Sequence, residues 1–456
     1  MDAASCQSGG CGSSAFGWLA SDRGARWGFR VCLVLAMLSW YLVGRRQWFI
    51  RDDWAFLLTR PQMKHGLGVW EWLNQPQDGH WMAPPLLIFR GLQNAFALDS
   101  YWPFLVVLLA THLGTVLLVR QICRRLQVSE WVTAMMCAVL LVLGSGWENI
   151  LFAVQITYNF SLLAFLAQVL LTDHDGPVDH RDWLGAAIAV IGVMSSGFGP
   201  FFIFGIALLM ILRRRWRAAI VAVVPQALVY GWWLLSFGSD RAADQRGRHL
   251  GPVPTFVRRG VLAAFGGLGG AMFMAGAAAL VAAGVTIWRH VDWQRRTYLL
   301  TAWAVVLAMY TGIGVERASI DPEMAISSRY VYMAAMVIAP VLALGIDQIR
   351  RFAPWGTWVA VVLLGASALS NASELRNEGN AWANIARQEQ YVLEVAASSG
   401  LADRADPQRS VLEFSMDVRA SDLRSLVEQH AIRLRALDDT EIARAAAALG
   451  VANVRP

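Results

Sequence analysis

Long apolar blocks constrain this chain more than any other feature. Residues 28–44, 101–120, 130–146, 156–172, 183–196, 198–212, 218–237, 260–287, 298–314, 330–347 and 355–370 each carry at most one charged side chain. A helix crossing a bilayer needs about 20 predominantly apolar residues, each rising about 1.5 Å. The apolar residues come in blocks and do not alternate with polar ones, which predicts helices. The expected fold is all-α: a polytopic helical membrane protein with about eleven transmembrane helices. Composition agrees, because only 16% of the 456 residues are charged, against about a quarter in soluble domains. Mean hydropathy is +0.43.

Two of the blocks, 183–196 and 198–212, form one run interrupted by "SSGFGP" (Ser195–Pro200). Gly and Pro there predict a tight hairpin or a broken helix. The block 260–287 is long and Gly/Ala-rich, so a tilt or kink is expected. The Gly/Ser-rich start lacks a cleavage site after the first block, which reads as a signal anchor. Cys6 and Cys11 fall in that start, Cys123 in a loop, and Cys32 and Cys137 inside apolar blocks. Neither a disulfide framework nor a paired metal motif follows from them.

The formal net charge is +6, and Lys64 is the only lysine among 39 basic residues. No basic stripe stands on a soluble domain, so no nucleic-acid partner is indicated; the implied partner is the lipid bilayer. Short loops rich in arginine mark the cytosolic side. With residues 1–27 as a cytosolic tail, "RQICRRL", "DHDGPVDHRDW", "RRRWR", "RHVDWQRR" and "DQIRRF" all fall inside. Outside fall 45–100, "GWENILFAVQ", 238–259, 315–329 and a C-terminal segment. Residues 238–259 break the rule with Arg241, Arg246, Arg248, Arg258 and Arg259 outside, which suggests an anionic ligand. The first outer loop contains "DDWAFLLTRPQ", "GVWEWLNQ" and "PPLLIFRGLQNAFAL", expected as amphipathic helices lying on the membrane face. Trp48, Trp54, Trp70, Trp72, Trp81 and Trp102 would form an aromatic belt there. Residues 371–456 are rich in Ala, Arg, Asp and Glu and read as a small external helical segment or a partly ordered tail. The span-bearing domain is then 28–370.

Asp52 and Asp53 open the first of those outer segments. An aspartate at a helix start caps free N–H groups. A neighbouring pair also repels, so one pKa rises while the other stays low. A carboxylate at the headgroup level can take a proton from an attacking hydroxyl. Sugars linked through phosphate to a long polyprenol are held at that depth. Their phosphate leaves without protonation, so one base and a cation suffice, unlike glycoside hydrolysis with its two carboxyls. Arg329 in "AISSRYVYM", followed by Tyr330, can grip a phosphate at a helix start, or simply snorkel. Arg258 and Arg259 are second choices. His80 and Trp81 in "DGHWMAP" can bond and stack on a sugar, or act only as interfacial residues. Glu148, Glu316, Asp321 and Glu323 also fall outside; no spacing among them compels a metal site, and none is excluded. No organic cofactor is called for.

The acidic pair in "RDDW" after a first span, then "GHWMAP" and a helix ending in "FR", resembles the GT-C superfamily of integral-membrane glycosyltransferases. The likeness extends to the general topology of 28–370 and locally to 47–102 and "SSRY". The resemblance implies a catalytic acid at Asp52 or Asp53 and a polyprenyl-phosphate sugar as donor. It implies transfer of a hexosyl or pentosyl group, with inversion, to a glycan, lipid or protein acceptor. The implied location is the outer face of a cell membrane, a bacterial inner membrane on the heavy use of arginine, with the C-terminus outside. A transporter or flippase would place ionisable groups near mid-span, whereas the acids here gather at one surface. A glycan ligase or polymerase would carry its large outer loop late in the chain, whereas the longest here comes first.

Overall fold

Ser21 opens the first helix: its hydroxyl accepts from the Gly24 N–H at 3.2 Å, and Asp22 adds a favourable charge in the first turn. This helix, α1 (Asp22–Gly44), turns Val34 and Leu35 outward with 64% and 60% of their surface exposed. In water such a face would be costly; in lipid it is the expected one. The structure, a computed structural model, describes residues 21–62, 66–238, 250–269, 291–352 and 356–451. The rest of the expected cytosolic tail, Cys6 and Cys11, and Arg241, Arg246 and Arg248 lie outside the described residues.

A loop segment, α2 (residues 52–62), follows α1 and contains a stretch of π-helix at Ala55–Thr59. Next come α3 (Val69–Asn74), α4 (Ala83–Phe96), α5 (Trp102–Arg125), α6 (Glu130–Leu141), α7 (Glu148–Leu151) and α8 (Ile156–Thr172). The chain continues with α9 (His180–Val193), α10 (Gly199–Leu212), α11 (Trp216–Phe237), α12 (Val253–Gly269) and α13 (Trp293–Arg317). It closes with α14 (Ser328–Phe352), α15 (Gly356–Ser398), α16 (Leu423–Glu428) and α17 (Asp439–Leu449). Packing runs from α1 to α6, α5, α8, α9, α11, α10, α13 and α12, and returns to α14, which also touches α5. The apolar body of α14 is almost wholly buried at the centre of this ring.

Among the described residues, seven helices are long and apolar enough to cross a membrane. They include α1, α5, α8, α11, α13, α14 and α15, so seven of the eleven expected spans stand on length alone. Three more blocks are helical but short: α6, α9 and α10. The expected span 260–287 is helical as far as Gly269, and its remainder lies outside the described residues. The count of eleven is therefore not reproduced by helix length. The arginine-rich short loops meet at one end of the bundle. There Arg120 and Arg124 pair with Glu130, Arg213 with Asp173, and Arg215 with Asp182.

The outer-loop segments do not all lie on a membrane face. In α2, Ala55, Phe56, Leu57 and Leu58 are buried, because a segment apolar on every side has no polar face to offer water. Only α3 and α4 show an apolar exposed side, through Trp70 and Leu87. The tryptophan belt is mostly core: Trp54, Trp72 and Trp81 are buried, and Phe49 stands edge-on to Tyr101 and Phe104 with centroids 5.1 Å apart. Arg60 staples the loop by donating to Trp72 O at 2.9 Å and Gln75 O at 2.6 Å.

The C-terminal segment is ordered from the bundle outward. The single helix α15 spans 43 residues, about 65 Å at helical rise. Asn371 ties its inner part to Gly144 N at 2.9 Å. Further out, Gln47 donates to Gly379 O at 2.8 Å, and Leu98 N donates to Gln429 O at 2.9 Å. The segment thus packs on residues 45–100.

Candidate active site

Asp52 and Asp53 sit on one tight turn but serve different surroundings. The turn spans Ile50–Asp53, with Asp53 N donating to Ile50 O at 3.2 Å. Arg51 occupies its second position at φ 52° and ψ −123°, a conformation that favours glycine. A side chain there costs about 1–3 kcal/mol and persists only where neighbours hold it.

Asp53 is completely buried. Its carboxylate accepts from Val154 N at 2.9 Å, Ile50 N at 3.4 Å and the Tyr101 hydroxyl at 3.3 Å. Burial pushes its pKa up to about 7 from 3.8, partly offset by those donors and reinforced by the charge of Asp52. Asp53 does not line the cavity described below; it ties the turn to the start of α8. Because its folded pKa is raised, its contribution to stability is complete below 3.8 and is lost as pH rises through about 7. Thermal unfolding in detergent should therefore show the wild type losing stability relative to Asp53→Asn between those pH values. A difference independent of pH would refute this.

Asp52 points the other way, 51% exposed, into a cavity of about 720 Å³. The volume suits a small-molecule site. Its wall includes Arg51, Asp78, His80, Glu148, Arg317 and Arg329. Arg329 Nη1 lies 3.5 Å from Asp52 Oδ2. The rest of that guanidinium is engaged: Nε and Nη2 each reach a Glu148 oxygen at 3.2 Å, a two-pronged grip. The two helix starts also cap each other. Glu148 accepts from Arg329 N at 3.2 Å, and Ser328 Oγ accepts from Glu148 N at 3.0 Å. Arg51 Nη1 stands 3.7 Å from the same carboxylate. Tyr158 lines the same wall, and Tyr330 is buried there.

His80 reaches the cavity from a two-residue hairpin. Gln77 and His80 exchange backbone bonds of 2.9 and 2.8 Å around Asp78 and Gly79, whose φ values are 49° and 73°. Asp-Gly is the favoured pair for a turn with both central residues at positive φ. The ring packs against Gly197 in "SSGFGP", where any Cβ would collide with it. That motif links α9 to α10, and Gly197, Phe198 and Pro200 line the cavity.

The other expected residues lie elsewhere. Trp81 is 1% exposed and stacks on Trp233, with ring centroids 5.4 Å apart; it is a packing residue outside the cavity wall. Arg258 and Arg259 are also outside the wall, and Arg259 pairs with Glu323. Sequence reasoning overlooked Arg317. It ends α13 and lines the cavity, and its guanidinium makes no hydrogen bond or ion pair with a described residue. An arginine at the outer end of a span, on the side where arginine is scarce, was the available signal. Glu148, which the sequence shows only as one of four outer acids, stands at the centre of the charge network.

Among the described residues, the one cluster with metal-ligand spacing is His174, Asp179 and Asp182. It lies at the opposite end of the bundle, where Arg215 already reaches Asp182 at 3.3 Å.

No protein-family model matches the sequence, and no curated protein matches it. Two solved structures share its fold. ArnT from Cupriavidus metallidurans bound to undecaprenyl phosphate matches with 14% identity and a TM-score of 0.53, covering 95% of this chain and 88% of that one. The same protein in the apo state gives 12% identity, a TM-score of 0.54 and the same coverage. At these identities the likeness is one of fold alone, and it extends over nearly the whole chain.

Proposed function

We propose that this chain moves a sugar from a polyprenyl-phosphate donor to a hydroxyl on a glycan, lipid or protein acceptor. The supporting observation is the exposed Asp52 carboxylate in a lined cavity beside Arg329 and Arg317. Asp52 removes the acceptor proton as that oxygen attacks the anomeric carbon. The bond from that carbon to the phosphate oxygen breaks, and the phosphate leaves as an anion. With one carboxylate acting as base and none as nucleophile, the displacement is single and inverts the anomeric centre. Arg317 meets the phosphate, because Arg329 is committed to Glu148 and stands beside the base. His80 and Asp78 face the sugar. Guanidinium groups supply the positive charge, so the reading calls for no metal. Under this reading the site faces outward from a bacterial cell membrane, with the N-terminus cytosolic and 371–456 outside.

The test is transfer of labelled sugar from polyprenyl phosphate by membranes containing Asp52→Asn. Full activity at normal expression would end the reading. Arg317→Ala should raise the donor KM or lower kcat by about 10- to 100-fold, the worth of a charged hydrogen bond. An unchanged donor KM and kcat would remove Arg317 from the phosphate site.

A further inference from the structure

We infer that the C-terminal segment sets the aim of Asp52, with Ser415 as the positioning residue; this rests on reading Asp52 as the base. The residue before Asp52 is Arg51, held at positive φ without being glycine. Something must hold that peptide, and its N–H gives the answer: it donates to Ser415 Oγ at 2.7 Å. Ser415 comes 364 residues later and is 1% exposed.

The hydroxyl is itself fixed. It donates to Glu389 Oε2 at 2.5 Å, while Glu389 Oε1 accepts from Phe414 N at 3.0 Å and Ser415 N at 2.9 Å. A serine hydroxyl has one proton. With that proton given to Glu389, a lone pair is left for the Arg51 N–H. Glu389 is buried on α15, so the relay runs from the helix axis to the turn. Two neighbouring contacts keep the same register. The Arg51 guanidinium lies over the Trp382 ring, 5.4 Å from its centroid, and Thr59 donates to Asp417 at 3.1 Å.

Without the Ser415 hydroxyl the Arg51 N–H is left unpaired, and the peptide before Asp52 is free to rotate towards an unstrained conformation. That rotation swings the Asp52 carboxylate off its line to the acceptor. The site wall itself contains neither Ser415 nor Glu389.

The experiment measures kcat and donor KM for Ser415→Ala, Glu389→Gln, Asp52→Asn and the Ser415→Ala/Asp52→Asn double variant, each matched for melting temperature in detergent. Ser415→Ala should lower kcat by about 10- to 100-fold, the cost of a misplaced reacting group, with donor KM within about twofold. Glu389→Gln should lower it less. On the Asp52→Asn background Ser415→Ala should cost nothing further, since there is no base left to aim. Wild-type kcat in both Ser415→Ala and Glu389→Gln, alongside an inactive Asp52→Asn, overturns the positioning role and leaves the base reading standing. The same holds if Ser415→Ala lowers the residual rate of Asp52→Asn. A fully active Asp52→Asn overturns the base reading itself. Should Ser415→Ala fail to accumulate, Glu389→Gln carries the same comparison.

Discussion

Asp52→Asn is expected to lower sugar transfer by about 10²- to 10⁴-fold, the usual worth of a positioned general base. The amide keeps the size of the carboxylate and can still face Arg329 Nη1, now 3.5 Å from Asp52 Oδ2. It cannot accept the acceptor's proton. Because Asp52 is half exposed to a cavity, melting temperature should hardly change. Asp53→Asn should behave in the opposite way. Its three donors, Ile50 N, Val154 N and Tyr101, lose a full acceptor set, so stability responds before the chemistry does. Transfer kinetics beside thermal unfolding of both variants check the division. Equal loss of rate in the two at unchanged stability would contradict it.

Glu148→Ala is expected to destabilise the protein by about 3 kcal/mol, the range seen when one partner of a buried pair is removed. Glu148 is 5% exposed and holds Nε and Nη2 of the Arg329 guanidinium. It also accepts from the first turn of α14, the most buried helix of the bundle. Alanine leaves Arg329, itself 19% exposed, with the more distant Asp52 as its remaining acid. Glu148→Gln should cost less, since the amide oxygen can still cap the Arg329 N–H. Thermal unfolding in detergent reads both, and a Glu148→Ala protein as stable as wild type would refute the role.

Much of this was legible before the fold. Charge-poor blocks announced the helices, and Asp52, Arg329 and His80 line one cavity, while Asp53 turns away from it. What failed depended on contacts between distant positions. Trp81 has the same sequence environment whether it stacks on a sugar or on Trp233, 152 positions away. Arg329 looks free until Glu148 meets it across 181 residues. Arg258 and Arg259 stand in a stretch whose charge is conspicuous, yet neither lines the cavity, and Arg259 meets Glu323. For α6, α9 and α10 helix length alone does not establish a span, because apolar composition reads alike in a short and a long helix. Gly144 and Gly146 end the run after α6 in a 3-10 turn, and the sequence shows these glycines only as part of an apolar block.

The unbroken helix α15 restricts how the gene can change length. Asn371 faces the bundle, Gly379 faces Gln47, Trp382 stacks on Trp147, and Glu389 faces Ser415. One inserted residue between Asn371 and Gly379 would turn everything beyond it by about 100° and advance it by about 1.5 Å. Seven would restore the facing to within about 20°, at a displacement of about 10 Å. Single-codon insertions and deletions are thus barred from this stretch, while the hairpin loops at the arginine-rich end have no such phase to keep.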